Sequence, residues 1–178
     1  LNTPSGKIEI FSETINSFGY DDCPGHPVWL EPCEWLGQKD KKYQLHLISN
    51  QPKDKLHSQL DHGKFSRSNK VNGREPVFIN QKDAIKRNLK DKDLVQVYND
   101  RGSCYASVVI DNNLRSGVIL ISTGAWYDPI DPSINNSPCK NGNPNTLTPD
   151  KGTSSLAQGP IAHTCMVEIQ LAEGEIPP

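Results

Sequence analysis

The feature that most constrains this chain is a series of short apolar runs, each closed off within a few residues by turn formers. Val118-Ile119-Leu120-Ile121 sits between Arg115-Ser116-Gly117 and Ser122-Thr123-Gly124. Such a run is too short for a helix with one buried face, and its unbroken apolarity suits a strand covered on both faces. Cys104, Ala106, Val108 and Ile110 alternate along one face of Ser103 to Ile110, and Asp100-Arg101-Gly102 turns Leu94 to Tyr98 into that strand. Tyr43 to Ser49 and Pro76 to Ile79 read as further strands. In the last run, Cys165, Val167, Ile169 and Leu171 alternate with Met166, Glu168 and Gln170. Asn80 fits an N-cap for a helix of two to three turns carrying Ala84, Ile85 and Leu89, with Asp83 spaced to reach back as a capping box. At least five strands and one or two short helices predict a mainly β fold, a closed or nearly closed barrel.

A length of 178 residues fits one domain with additional non-core chain. A hydrophobic fraction of 34%, with 13 Gly and 14 Pro, agrees with many turns and short strands. Residues 1–42 read as an extended linker arm from a preceding domain, with a short strand at Lys7 to Phe11. Trp29, Leu30, Trp35 and Leu36 are its apolar anchors, expected to pack onto a body. The barrel is placed at 43–172 and a tail at 173–178. The chain opens on Leu1, with no leader-like segment, and reads as a piece cut from a longer polypeptide whose upstream domains are its partners.

A net charge of -2 with interspersed signs gives no electrostatic case for nucleic acid or an anionic membrane surface. No stretch approaches the roughly 20 apolar residues of a membrane span. The five cysteines are odd in number and lack a CxxC pair. Free thiols, buried for Cys104 and Cys165, are expected rather than a disulfide framework or a zinc site.

Two polar loops remain once the strands are assigned. The first, Ser49 to Asp61, carries Asn, Gln, His and Ser side chains just beyond a strand end. The second, Asn141 to Gly159, carries Asn143, Asn145, Lys151, a Gly152-Thr153-Ser154-Ser155 step and Gln158-Gly159. That step is placed to open a short helix whose free amides face an anion such as a pyrophosphate. Amide and hydroxyl groups match a large neutral heterocycle, whose edges both donate and accept, and are poorly suited to acid–base catalysis. The alternative is a pair of solvated loops whose Asn, Ser and Gly residues only make turns. Neither loop has a Walker or GxGxxG pattern. His57, Asp61 and His62 are too few for a metal site, and adjacent His57 and Ser58 make no nucleophile–base pair. Trp126 and Tyr127 follow the most apolar strand and are open to pocket-lining or core roles.

Several blocks of the sequence carry a resemblance. Leu47-Ile48-Ser49-Asn50-Gln51-Pro52 with Leu56-His57-Ser58-Gln59-Leu60-Asp61 resembles the last domain of the DMSO reductase family of molybdoenzymes. So do Arg74-Glu75-Pro76-Val77, Asn99-Asp100-Arg101-Gly102, Ser122 to Pro129 and Gly142 to Asn145. The likeness runs on through Asp150 to Ser154 and Ala157-Gln158-Gly159 to Ala162-His163-Thr164, and Thr3 to Glu9 resembles the lead-in. It spans nearly the whole chain in order and is greatest to the TMAO reductase and biotin sulfoxide reductase branch.

The resemblance implies a double-psi β-barrel that closes over molybdenum bis(molybdopterin guanine dinucleotide) in an enzyme taking oxygen from an N-oxide or S-oxide such as TMAO, DMSO or biotin sulfoxide. It implies that Gln51, His57, Ser58 and Gln59 contact one pterin dinucleotide, that Asn145, Gln158 and Gly159 complete the grip, and that Ser49, Asn50, Lys151 and Thr153 add to it. The metal's serine ligand belongs to an earlier domain, so neither a catalytic residue nor a metal ligand is expected in this chain. A periplasmic parent is implied, with a cytoplasmic one also open, and a cytochrome as electron donor. Two other readings compete. One is a stand-alone barrel acting as a binding module or subunit. The other is a self-processing decarboxylase, for which Gly152-Thr153 and Gly102-Ser103 are poor cleavage sites.

Overall fold

The computed structural model describes residues 1–174, 176 and 177. The chain forms two compact units, one of Leu1–Cys33 with Asp150–Ile161 and one of Glu34–Pro149 with Ala162–Pro178. The second unit contains every strand: β1 (Leu45–Ile48), β2 (Pro76–Ile79), β3 (Leu94–Asn99), β4 (Gly102–Ile110), β5 (Val118–Leu120) and β6 (Met166–Leu171). They close into a barrel in the order β1-β5-β2-β4-β3-β6. Two ladders, β1 with β5 and β2 with β4, are parallel, and the rest are antiparallel. The mainly β barrel predicted from the alternating runs is therefore present, with six strands.

Alternation sets the interior. Leu45, Leu47, Val77, Ile79, Val95 and Val97 are essentially inaccessible and meet Ala106, Val108, Ile119 and Val167 in one core. The cysteines are free thiols, with Cys104, Cys139 and Cys165 buried. Burial pushes the Cys165 thiol up to about 11, and its Sγ donates to the Leu147 carbonyl at 3.3 Å. Burial raises Cys104 further still, so both stay protonated at neutral pH.

Asn80 caps α3 (Gln81–Ile85) by accepting from the Lys82 amide at 2.9 Å. Asp83 does not close the expected capping box. Its carboxylate accepts from the Gly117 amide at 2.7 Å and the Ser116 hydroxyl at 3.0 Å, and so ties the helix to the start of β5. Two orphan donors elsewhere in the fold outcompete the Asn80 amide. The remaining short helix of this unit, α2 (Lys64–Ser68), follows the first polar loop.

In the other unit, Lys7 to Phe11 is not a strand, because it has no ladder partner. A single helix, α1 (Glu13–Asn16), is capped by Ser12. Trp29 and Leu30, expected to be anchors of the arm, are 71% and 48% exposed.

Replacing Asp83 with Ala should cost about 1–3 kcal/mol by stranding the Gly117 amide. The urea midpoint checks this, and a midpoint equal to wild type refutes the tie.

Candidate functional site

One end of the barrel gathers the predicted residues of the larger unit. β1 and β5 run parallel and deliver loops 49–61 and 121–128 to the same end. Antiparallel pairing brings the β3–β4 turn and the start of β6 there as well. The Pro144–Thr146 3-10 turn that carries Asn145 packs on that turn, where a Cβ on Gly102 would lie 2.8 Å from the Thr146 carbonyl oxygen. Ser49, Asn50, Gln51, His57, Ser58, Gln59 and Asn145 all lie at this end.

Their roles differ. Ser49 is buried. Asn50 extends the β1–β5 pairing, its carbonyl accepting from the Thr123 amide at 2.9 Å and its Oδ1 from the Ser122 hydroxyl at 2.9 Å. Gln51 spans its own loop, Nε2 donating to the Lys55 carbonyl at 2.8 Å. His57, Ser58, Gln59 and Asn145 are exposed, and their side chains make no hydrogen bond among the described residues. A cleft of about 510 Å³ at the root of the first loop is lined by Asn50, Gln51 and Lys53 over Phe78 and Leu120, and His57, Ser58, Gln59 and Asn145 do not line it. A larger cleft of about 600 Å³ lies at the opposite barrel end, where Asp83 and Arg87 are already engaged in the fold.

The loop's backbone is held tightly although its side chains are free. His57 and Leu60 adopt left-handed φ of 51° and 69°. Each costs about 1–2 kcal/mol for a residue with a Cβ, so the surroundings must enforce them. Gly124 has φ of 100°, and a Cβ there would fall 1.9 Å from the His57 carbonyl oxygen. Glycine permits this close approach.

Beneath the loop is a buried cluster of four charges. Lys55 Nζ donates to Asp61 at 2.9 Å and to Glu75 at 2.7 Å, and Lys70 Nζ lies 3.4 Å and 3.3 Å from the same two carboxylates. All four side chains are at most 8% exposed. The Asp61 Oδ2 also accepts from the Trp126 amide and the Asn141 side chain, both at 3.1 Å. The cluster is neutral and hydrogen-bonded, the condition on which buried charge is tolerated. Burial alone would raise the Asp61 pKa, but the Lys55 and Trp126 hydrogen bonds and the Lys70 charge lower it to about 2. Burial likewise opposes the Lys55 ammonium, and its carboxylate partners raise its pKa regardless.

Pattern reading assigned these four residues no role. The four belong to no helix or strand period, with the partners of Lys55 lying 6 and 20 positions away, so no local pattern marks them.

A second network holds the Asn145 segment. Arg101 pairs with Glu34 at 2.5 Å and 3.0 Å and donates to the Leu147 carbonyl at 2.6 Å, which also accepts from Asn99 at 2.8 Å.

The other predicted residues belong to the smaller unit. Lys151, Thr153, Gln158 and Gly159 lie on a hairpin closed by the Gly152–Pro160 bridge. Gly152 to Ser155 opens no helix. The Thr153 and Ser154 amides donate to Gly159 and Ala157 at 2.8 Å and 2.9 Å, and the Ser155 amide donates to Asp22 at 2.9 Å. No row of free amides faces outward there. Thr153 donates to the Ala157 carbonyl at 2.8 Å and Gln158 to the Ser154 carbonyl at 2.9 Å, which leaves Gln158 Oε1 available. The Lys151 side chain is exposed.

No group of three or more His, Cys, Asp or Glu suited to a metal ion occurs among the described residues. The end of the barrel thus offers amide, hydroxyl and imidazole groups on a rigid backbone. That set can bind and orient a polar heterocycle.

The profile of the molydopterin dinucleotide binding domain family matches residues 45–166. Trimethylamine-N-oxide reductase of Haemophilus influenzae is 44% identical over 99% of this chain, which spans 22% of that protein. Trimethylamine-N-oxide reductase 1 of Escherichia coli K12 is 48% identical over 99% of the chain, spanning 21% of it. Biotin sulfoxide reductase of Cereibacter sphaeroides is 43% identical over 98% of the chain, spanning 23% of it. Among solved structures, acetylene hydratase from Pelobacter acetylenicus matches 96% of the chain and 24% of its own, with a TM-score of 0.74 at 19% identity, a likeness of fold.

Asp61→Asn should destabilise the chain by about 3–5 kcal/mol, because it leaves two buried ammonium groups facing one carboxylate. It should also flatten the acid limb. A carboxyl depressed to about 2 adds stability above its unfolded value of 3.8 that is lost as pH falls between those values. Denaturant titrations from pH 5 to pH 2 test both effects. An unchanged acid limb in the variant would show that Asp61 does not carry this linkage.

Proposed function

Since the chain belongs to the molydopterin dinucleotide binding domain family, we propose that it is the C-terminal cofactor-holding domain of a molybdenum oxidoreductase that removes oxygen from N-oxides or S-oxides. The chain spans about a fifth of the length of the curated relatives it matches. Substrate, electron donor and partners therefore belong to the reading of a parent polypeptide. That parent is read as periplasmic, in keeping with its resemblance to trimethylamine-N-oxide reductases, with upstream domains of the same polypeptide and a donor cytochrome as partners.

One observation carries the reading. His57, Ser58, Gln59 and Asn145 are exposed at one end of the barrel and internally unbonded, the first three on a loop flanked by buried ion pairs and Asn145 on a turn held through the half-buried Glu34–Arg101 pair. Ordinary solvated turns have no need of such support. The donor set fits molybdenum bis(molybdopterin guanine dinucleotide), whose pterin and guanine edges offer both donors and acceptors. When bound, that group supplies the redox chemistry, and the protein's share is to bind, orient and tune it.

In this reading His57, Ser58 and Gln59 hydrogen-bond one pterin dinucleotide from the first loop, with Gln51 as a contact at its base. Asn145 adds to them from the 3-10 turn. Ser49 and Asn50 add to these contacts at the loop's root, where Asn50 is tied to Ser122 and Thr123 just beyond β5. By the same resemblance Gln158, Gly159, Lys151 and Thr153 also contact the cofactor, and on their own hairpin Gln158 Oε1 and the Lys151 ammonium are the free groups. The chain contributes neither a metal ligand nor a proton-transfer residue.

In the parent enzyme, His57→Ala and Gln158→Ala should each weaken cofactor binding by about 10-fold or more, read as molybdenum and released GMP per chain. Wild-type content in both variants would count against the assignment. The chain purified alone should not reduce trimethylamine N-oxide with a reduced dye, and turnover by it would overturn the division of labour.

A further inference from the structure

Among the described residues, Trp126 alone holds the 56–61 loop by hydrogen bonds both at its end and at its middle. Its main-chain amide donates to Asp61 at 3.1 Å, and its indole Nε1 donates to the Ser58 carbonyl at 2.7 Å. Its own carbonyl accepts from the Asn141 side chain at 3.1 Å, and its ring meets His62 edge-on at 4.7 Å. The ion pairs reach the loop through Lys55 and Asp61, its flanks. Between them, the Leu56 to Gln59 turn closes on itself through the Gln59 amide and Leu56 carbonyl at 2.9 Å. The indole bond is the side-chain restraint on that turn.

Core packing does not explain this tryptophan, since 54% of it is exposed. Gly124, two residues earlier, brings its backbone directly against the His57 carbonyl. The 124–126 segment is thus shaped to support the turn from behind at His57 and to hold it at Ser58. The left-handed backbone of His57 then has a partner on each side, and the side chains of His57, Ser58 and Gln59 are turned outward.

We infer that Trp126 is a positioning residue whose indole N–H fixes the Ser58 carbonyl and thereby presents His57, Ser58 and Gln59 to a bound pterin dinucleotide. The inference rests on the cofactor reading above. Trp126→Phe in the full-length enzyme removes the indole donor while keeping an aromatic ring and the amide bonded to Asp61. Tyr127→Phe is the control, because the Tyr127 hydroxyl makes no hydrogen bond among the described residues and the residue is 53% exposed.

Amide hydrogen exchange of the 56–61 peptide should be about fivefold faster in Trp126→Phe, the effect of losing one hydrogen bond. Molybdenum and GMP content should fall with it, and both should stay at wild type in Tyr127→Phe. Unchanged exchange in Trp126→Phe overturns the inference whatever the cofactor content. Faster exchange at full cofactor content overturns it as well. If His57→Ala also keeps full content in that case, the fault lies in the cofactor reading itself.

Discussion

The buried cluster of Lys55, Asp61, Lys70 and Glu75 is the interaction on which the working end of this barrel depends. Two ammonium groups and two carboxylates share a site almost closed to water. Each supplies what its neighbours need, and removing any one leaves an uncompensated charge. The four come from the first polar loop, the segment beyond α2 and the entrance to β2. Asn141 and the Trp126 amide tie two further loops to the same carboxylate. Apolar residues of similar volume would fill the space. They would not fix the direction of each loop, which hydrogen-bonded charges do.

The division of labour follows from this arrangement. At the exposed turn the side chains of Ser58 and Gln59 are neutral and carry no internal hydrogen bond. The charges are kept one layer below, where they set backbone geometry. The Glu34–Arg101 pair does the same for the segment bearing Asn145, holding the Leu147 carbonyl together with Asn99.

The barrel was legible in the chain because strand formation follows a local two-residue period. The runs ending at Ile110, Ile121 and Leu171 each appear within one or two residues of their expected limits. Lys7 to Phe11 has the same local character without a ladder partner, so it stays irregular. Gly152 to Ser155 resembled a helix start, but its amides are taken by Ala157 and Gly159, which a hairpin reaches and a helix would not. Asp83 was placed correctly on α3, yet its partners lie 33 and 34 positions away. The ion-pair cluster escaped notice because its members, with the partners of Lys55 6 and 20 positions away, follow no helix or strand period. The site residues themselves came from resemblance, since Asn, Ser and Gln in a loop look alike whether they bind a ligand or make a turn.

The strand order also bears on the timing of synthesis. Only β3 and β4 are joined by a tight turn, while β1 waits for β5 and then for β6 at the far end of the chain. Every outside partner of the first polar loop, from Lys70 and Glu75 to Trp126 and Asn141, is made after the loop emerges. Pairings so distant form slowly, and unpaired edges stay open in the meantime. A nascent chain would therefore carry its contact residues long before it could hold them in place. The first loop reaches its final geometry only when the barrel closes through β6.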